Sequence, residues 1–120
     1  MKTELSRVVR MSEYIQLTTT VDDEEKASKI AKVLLEKRLA ACVQVLGPIA
    51  SSYWWKGKIE RTNEWMCIAK ARAADYEKIE RTITGIHPYE VPEILAFPIF
   101  SGYPAYLKWI REETAPKRLS

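Results

Sequence analysis

An α+β domain on a split βαβ plan, with an overlong central hairpin and an extra C-terminal helix, is the fold this 120-residue sequence predicts. Three observations carry the prediction. Apolar periodicity switches between strand and helix in the order β-α-β-β-α-β-α, which suits a four-stranded antiparallel sheet with both main helices on one face, the ferredoxin-like sandwich. The two middle strands are each far longer than a helix could cover. The composition, 47% hydrophobic and 29% charged with 4 Gly and 6 Pro, is that of one globular domain, large enough to fold without disulfides or a structural metal.

The elements follow in order. Tyr14 to Val21, rich in β-branched residues and free of Gly and Pro, reads as strand β1. Asp22 followed by Glu25 has capping-box spacing and predicts the start of helix α1, about 16 residues long. Ala27, Ile30, Ala31, Leu34 and Leu35 fall on one face of that helix, and Lys26, Lys29, Lys32 and Glu36 fall on the solvated one. Ala40 to Trp55 reads as strand β2, bent once at Gly47-Pro48. Lys56-Gly57 supplies a tight turn, and Lys58 to Ala71 returns as β3. Asp75 to Ile86 places Tyr76, Ile79, Ile83 and Ile86 on one stripe of helix α2, which Pro88 ends by forcing His87 out of helical geometry. Ile94 to Phe100 is apolar throughout and predicts a buried strand β4. Pro104 suits the first turn of a last helix, α3, bearing Leu107, Trp109 and Ile110.

Residues 13–114 therefore form the predicted domain, between a loose N-terminal tail, 1–12, and a basic C-terminal tail, 115–120. The net charge of +3 resides in those tails, each of which carries +2, so the domain itself is −1. That is no electrostatic footprint for nucleic acid. The longest apolar run is seven residues and includes Pro98, too short to span a bilayer, so no membrane association is expected. The first twelve residues hold no signal-peptide apolar core, and Cys42 and Cys67 have no CxxC spacing; two reduced, buried thiols in a cytoplasmic protein are expected.

The hairpin makes the strongest structural argument. Strands of about 14 to 16 residues extend roughly 45 to 50 Å, whereas α1 spans only about 24 Å. The distal part, residues 49–63, carries Ile49, Tyr53, Trp54, Trp55 and Ile59. A bare two-stranded ribbon is marginal in water, so another subunit is expected to cover it.

Chemistry-bearing residues are few. One His and no nucleophile-base pairing argue against a hydrolase, and four isolated glycines exclude a phosphate-binding loop. An enzyme working by general acid-base chemistry at Glu64 or Glu93 lacks a placed second group. The densest polar segment is His87-Pro88-Tyr89-Glu90-Val91-Pro92-Glu93, held stiff by its two prolines. It is either a rigid turn into β4 with a satisfied His87, or a preorganised rim in which His87 ligates copper or zinc with help from elsewhere. At the hairpin, Tyr53-Trp54-Trp55-Lys56-Gly57-Lys58 sets aromatic rings beside cations, while Glu64 and Lys70 share one face of β3 with Met66 and Ile68. That pattern reads as oligomer packing with an ion pair, or as an anion cleft between subunits with Lys58 and Lys70 as donors.

The segments Glu36-Lys37-Arg38-Leu39-Ala40-Ala41-Cys42-Val43, Tyr53-Trp54-Trp55-Lys56-Gly57-Lys58-Ile59, His87-Pro88-Tyr89-Glu90-Val91-Pro92-Glu93-Ile94 and Tyr106-Leu107-x-Trp109-Ile110 resemble the CutA divalent-cation-tolerance proteins, in order and spacing across residues 14–112. The resemblance implies a homotrimer with interlocking β2-β3 arms, similar in architecture to the PII signalling proteins. It implies a non-enzymatic role in divalent-cation tolerance, chiefly of copper, with Cu(II) a possible ligand and no obligatory cofactor. In some members a Cys precedes the first helix and a His-His pair precedes the Pro-Tyr; Thr18 and Ile86 stand there in this chain, leaving His87 as the metal candidate. The cleft residues implied are Tyr53, Trp55, Lys58, Glu64, Lys70, His87, Tyr89, Glu93 and Trp109. The alternatives are a PII-like sensor that binds a small anion and signals to a protein partner, and a purely structural assembly protein.

Overall fold

A computed structural model describes residues 12–115, so the expected tails, apart from Ser12 and Ala115, lie outside the described residues. The elements are β1 (Tyr14–Val21), α1 (Glu24–Glu36), β2 (Cys42–Trp55), β3 (Lys58–Arg72), a short 3-10 turn (Ala73–Asp75), α2 (Tyr76–Ile86), β4 (Ile94–Pro98) and α3 (Pro104–Thr114). One four-stranded sheet has the order β2-β3-β1-β4, antiparallel throughout. That is the order the split βαβ plan requires.

The core lies between the sheet and the two main helices. Ile15, Leu17 and Val21 of β1 and Cys67, Ala69 and Ala71 of β3 meet Ala27, Ile30 and Leu34 of α1 and Ile79 and Ile83 of α2. Leu35, assigned by periodicity to the buried face of α1, is 40% exposed. It sits at the edge of the apolar stripe, where the arc of the helix turns from the sheet to solvent.

Several expected boundaries shift, each for a local reason. The N-cap of α1 is Asp23, not Asp22: its extended backbone lets Oδ1 accept from the N–H groups of Glu25 (2.8 Å) and Lys26 (3.4 Å). The helix is consequently 13 residues long. It closes on Arg38 at φ 59°, with Leu39 N–H bonded to the Leu34 carbonyl and Arg38 N–H to that of Leu35, the pairing of a Schellman cap. Strand β4 stops at Pro98 because its partner begins at Tyr14; Ile99 N–H makes the last bond, to the Tyr14 carbonyl. Nor is β4 buried as expected. It is an edge strand, and Leu95 and Phe97, on the face away from the two main helices, are each half exposed.

The β2-β3 hairpin turns at Lys56 (φ 50°) and Gly57 (φ 81°), so both central residues are left-handed, as a type I′ turn demands. Farther back, the pairing jumps from Leu46↔Met66 to Ile49↔Glu64, one extra residue on β2 at the cis Gly47-Pro48 bond. A Cβ on Gly47 would stand 2.6 Å from Cδ1 of Trp65, closer than any side chain can come. The bulge therefore needs glycine.

The C-terminal helix is tied on by charge-assisted bonds. Arg38 Nη1 donates to Glu113 Oε1 (2.8 Å), Arg72 Nη2 to the Thr114 carbonyl (3.0 Å), and Arg111 Nη1 to the Tyr14 hydroxyl (3.2 Å). Among the described residues, no helix is long and apolar enough to cross a membrane. Of the two thiols, both free, Cys67 is buried as expected, but Cys42, on the face of the sheet away from the two main helices, is only half-buried.

The capping geometry gives a direct test. Asp23→Ala is expected to destabilise the fold by about 1 kcal/mol in chemical denaturation at fixed protein concentration, and Asp22→Ala by under about 0.5 kcal/mol. Equal effects would mean that the cap is misassigned.

Candidate functional site

Strand parity decides which side chains share a face. On β3, Glu60, Thr62, Glu64, Met66, Ile68 and Lys70 lie on the side away from the main helices. On β2, Cys42, Gln44 and Leu46 lie opposite Lys70, Ile68 and Met66; after the bulge the odd-numbered residues Ile49, Ser51, Tyr53 and Trp55 take over that face, opposite Glu64, Thr62, Glu60 and Lys58. The extra residue thus carries Tyr53 and Trp55 to the side of Glu64.

The loop after α2 folds back over this face. His87 leaves the helix with extended backbone (φ −77°, ψ 136°), as the following proline requires. Its Nδ1 accepts the Tyr89 N–H at 3.1 Å, which leaves Nε2 as the protonated nitrogen, donating to the Thr20 carbonyl at 2.8 Å. The two rings meet edge-on, centroids 4.8 Å apart. Tyr89 then donates its hydroxyl to Glu64 Oε2 at 2.6 Å, a short bond to a charged acceptor. Glu64 is only 5% exposed, and among the described residues no cation pairs with it.

These contacts enclose a cavity of about 330 Å³. Its aromatic wall is Tyr53, Trp55 and Tyr89; its carboxylates are Asp22, Glu60, Glu64, Glu90 and Glu93; Thr20, Thr62 and Val91 complete it. Among the described residues, no Lys, Arg or His lines it. Glu64 and Thr20 are buried, while Asp22, Glu60, Glu90 and Glu93 are exposed at the rim. Tyr53 is steadied by a 3.1 Å bond between its hydroxyl and that of Thr62, and the Lys56 ammonium stands 5.8 Å from the centre of the Trp55 ring, within cation-π range.

Of the nine expected cleft residues, Tyr53, Trp55, Glu64, Tyr89 and Glu93 line this cavity. Lys58 shares their face but sits at the ribbon tip, outside the wall. Lys70 bonds Gln44 Oε1 at 2.8 Å and Trp109 lies 5.5 Å from Tyr106 on α3. The expected Glu64-Lys70 ion pair does not form: six residues apart along one strand, the two are separated by roughly 20 Å. Lys58 and Lys70 are roughly 40 Å apart on the same reasoning, so a single chain does not hold one anion with both. His87 is hydrogen-bonded at both ring nitrogens. With one ring nitrogen donating and the other accepting, the imidazole braces the loop and offers no free lone pair to a metal. Among the described residues, no three His, Cys, Asp or Glu side chains converge as a metal site.

Sequence reasoning missed Asp22, Glu60 and Glu90 as wall residues. Glu60 was available from its spacing of four residues to Glu64, which puts both on one strand face. Asp22 follows from the pairing of Val21 with Trp65, which carries the next residue towards Glu64.

Burial, and then the bond to the Glu64 carboxylate, hold the Tyr89 hydroxyl well above the ordinary phenol range. A raised folded-state value makes a stabilising contribution that is complete below about pH 10 and lost as pH rises beyond it. Stability should therefore fall above pH 10, and less steeply in Tyr89→Phe. Matching pH profiles for the two proteins, from denaturation melts at pH 8 to 11, would contradict the assignment.

Comparison with known proteins places the chain sharply. The family model "CutA1 divalent ion tolerance protein" matches residues 15–113. A divalent-cation tolerance protein CutA of Thermus thermophilus is 42% identical over 95 residues, 79% of this chain and 92% of that one. Mouse protein CutA is 40% identical over 95 residues, and there this chain spans only 54% of the longer relative. Among solved structures, CutA of Xylella fastidiosa superposes with a TM-score of 0.83 at 37% identity, covering 86% of this chain and 99% of that one. The structure described as the periplasmic divalent cation tolerance protein CutA of Archaeoglobus fulgidus gives 0.82 at 40% identity, covering 84% and 98%.

Proposed function

Because the chain belongs to the CutA1 divalent ion tolerance family, we propose that its part in metal tolerance is that of a non-enzymatic homotrimer whose cavity admits cations, with copper the first metal to test. The observation that carries this reading is the wall chemistry: five carboxylates and no basic side chain. A site of that sign concentrates cations and repels phosphates and carboxylates. The PII-like alternative, a small anion held by Lys58 and Lys70 in a cleft between subunits, requires the two lysines to come from different chains, because within one chain they stand apart and outside this cavity.

A binding role without catalysis is supported by the state of the reactive groups. The single imidazole is occupied at both nitrogens. Burial pushes the Cys67 thiol up to about 11, so it is almost wholly protonated at neutral pH. Two unpaired thiols suit a reducing compartment, and we place the protein in the cytoplasm.

Trimerisation is supported by what one chain leaves uncovered. Leu46, Leu95 and Phe97 are exposed on the sheet face away from the two main helices, and Trp54 and Ile59, 72% and 63% exposed, project from the other side of the ribbon. Apolar surface of this extent on paired strands is what a second copy buries.

Light scattering at micromolar concentration should give the mass of three chains; a monodisperse monomer overturns the assembly. Equilibrium dialysis of the trimer with Cu(II) or Zn(II) should show binding that weakens at least tenfold in the double variant Glu64→Gln, Glu93→Gln, whereas phosphate and ATP should not bind. Anion binding abolished by Lys58→Ala or Lys70→Ala would instead establish the sensor reading.

A further inference from the structure

The side of the sheet that carries the main helices holds a second concave surface, of the opposite sign. A shallow groove of about 530 Å³ lies between the end of α1 and the flank of α2, lined by Lys37, Leu39, Lys78, Arg81 and Thr82. Its placement follows from the sequence. Lys78, Arg81 and Thr82 are spaced i, i+3 and i+4, so they share one flank of α2. Lys37 is the last residue before Arg38 turns the chain at φ 59°, and after that turn Leu39 packs down on the core, 8% exposed.

Among the described residues, no carboxylate lines this groove, and neither Lys37, Lys78 nor Arg81 enters an ion pair. The acids of α2 are held elsewhere: Glu77 and Glu80 lie outside the wall, and Glu80 accepts the Tyr76 hydroxyl at 2.7 Å. Arg38 is occupied by Glu113 Oε1 at 2.8 Å. Thr82 spends its hydroxyl on the Lys78 carbonyl at 2.8 Å, so the side-chain donors left to a ligand are the three exposed cations. Like charges one helical turn apart repel, and an anion that bridges them relieves the repulsion.

We infer that the groove docks an acidic segment of a partner protein, a short run rich in Asp and Glu. Charge complementarity selects the occupant: the Arg81 fork matches one carboxylate bidentately, and Lys37 and Lys78 each take another. Its length is set by α2, whose 11 residues span about 16 Å, a distance that a short peptide fills. A long polyanion such as nucleic acid would run past the groove onto a domain whose net charge is −1 even with these three cations counted, and would be repelled there. A lone phosphate gains only exposed, salt-screened charges, whereas a peptide also packs on Leu39 and the lysine stems. The apolar surfaces assigned above to trimer contacts lie on the opposite sheet face and on the ribbon, which leaves the groove open in the assembly. Three equivalent grooves then give avidity for a partner that repeats its acidic segment.

This docking surface is independent of the acidic cavity. Fluorescence anisotropy of a short rhodamine-labelled peptide of glutamates and leucines, titrated with the full chain in its solution assembly, tests it. The peptide should bind, with a dissociation constant that rises at least tenfold between about 50 mM and about 500 mM salt, and its glutamine counterpart should not bind. Lys78→Glu and Arg81→Glu should each weaken binding at least threefold and together at least tenfold. Both positions are exposed, so the variants should keep the wild-type melting temperature and mass; should the double variant misassemble, the single ones carry the test. Lys32→Glu makes the same charge change on α1 outside the groove and should stay within twofold of the wild type. Undetectable binding at millimolar concentration, equal binding of the glutamine peptide, or equal losses in Lys32→Glu and Arg81→Glu overturns the proposal. So does a single-stranded oligonucleotide of matched charge that binds more tightly than the peptide, which would make the groove a nucleic-acid surface.

Discussion

One extra residue in one strand organises the whole site. The bulge at Gly47-Pro48 flips the parity of β2, so the half of the strand that packs its odd-numbered residues Val43 and Val45 towards the helices sends its later odd-numbered residues, Tyr53 and Trp55, to the opposite side. The flip depends on glycine. With the Trp65 ring 2.6 Å from where a Cβ would stand, any side chain at position 47 must displace a large aromatic residue packed on the core. Without the flip, Tyr53 and Trp55 would lie on the side of the ribbon opposite to Glu64. The site's walls therefore depend on backbone geometry well away from its own polar atoms.

The second wall depends on stiffness. Pro88 and Pro92 remove two backbone donors and lock two φ angles, which lowers the entropy lost when the loop settles against the sheet. Three bonds then fix it: His87 to Thr20 on β1, Tyr89 N–H to His87, and the Tyr89 hydroxyl to Glu64 on β3. Because these bonds reach two adjacent strands, the loop reports on sheet register as well as on its own sequence. A histidine used this way is a structural connector. Its position beside carboxylates invites a metal-ligand reading that its hydrogen bonds do not leave room for.

What the sequence made legible was periodic. The order of elements, the buried stripes through Ile30, Leu34, Ile79 and Ile83, the Lys56-Gly57 turn and the stop at His87 all follow from spacing and from glycine and proline chemistry. Five of the cleft residues, implied by family resemblance, do come together. What was not legible depended on pairing between distant strands. Asp22 reaches the cavity only because β1 flanks β3 in a particular register. Lys58 and Lys70, neighbours in composition, end up at opposite ends of one long strand. The exposure of β4 was misread for a related reason: a wholly apolar run looks buried on both sides, and only the sheet order reveals that it is an edge strand with Leu95 and Phe97 half exposed.

Charge placement explains how a nearly neutral domain can present a strongly signed site. The lysines of α1 point to solvent on the helix side of the sheet, and Lys56 and Lys58 are held at the ribbon tip. The arginines Arg38, Arg72 and Arg111 are spent on docking α3. What remains around the cavity is acid without base. Net charge near zero therefore coexists with a negative potential confined to one concave, partly apolar surface, where the low dielectric of the walls strengthens it and bulk salt screens it less than it would an exposed cluster. The sign of the cavity wall thus follows from where the bases have been taken away, as much as from where the acids have been placed.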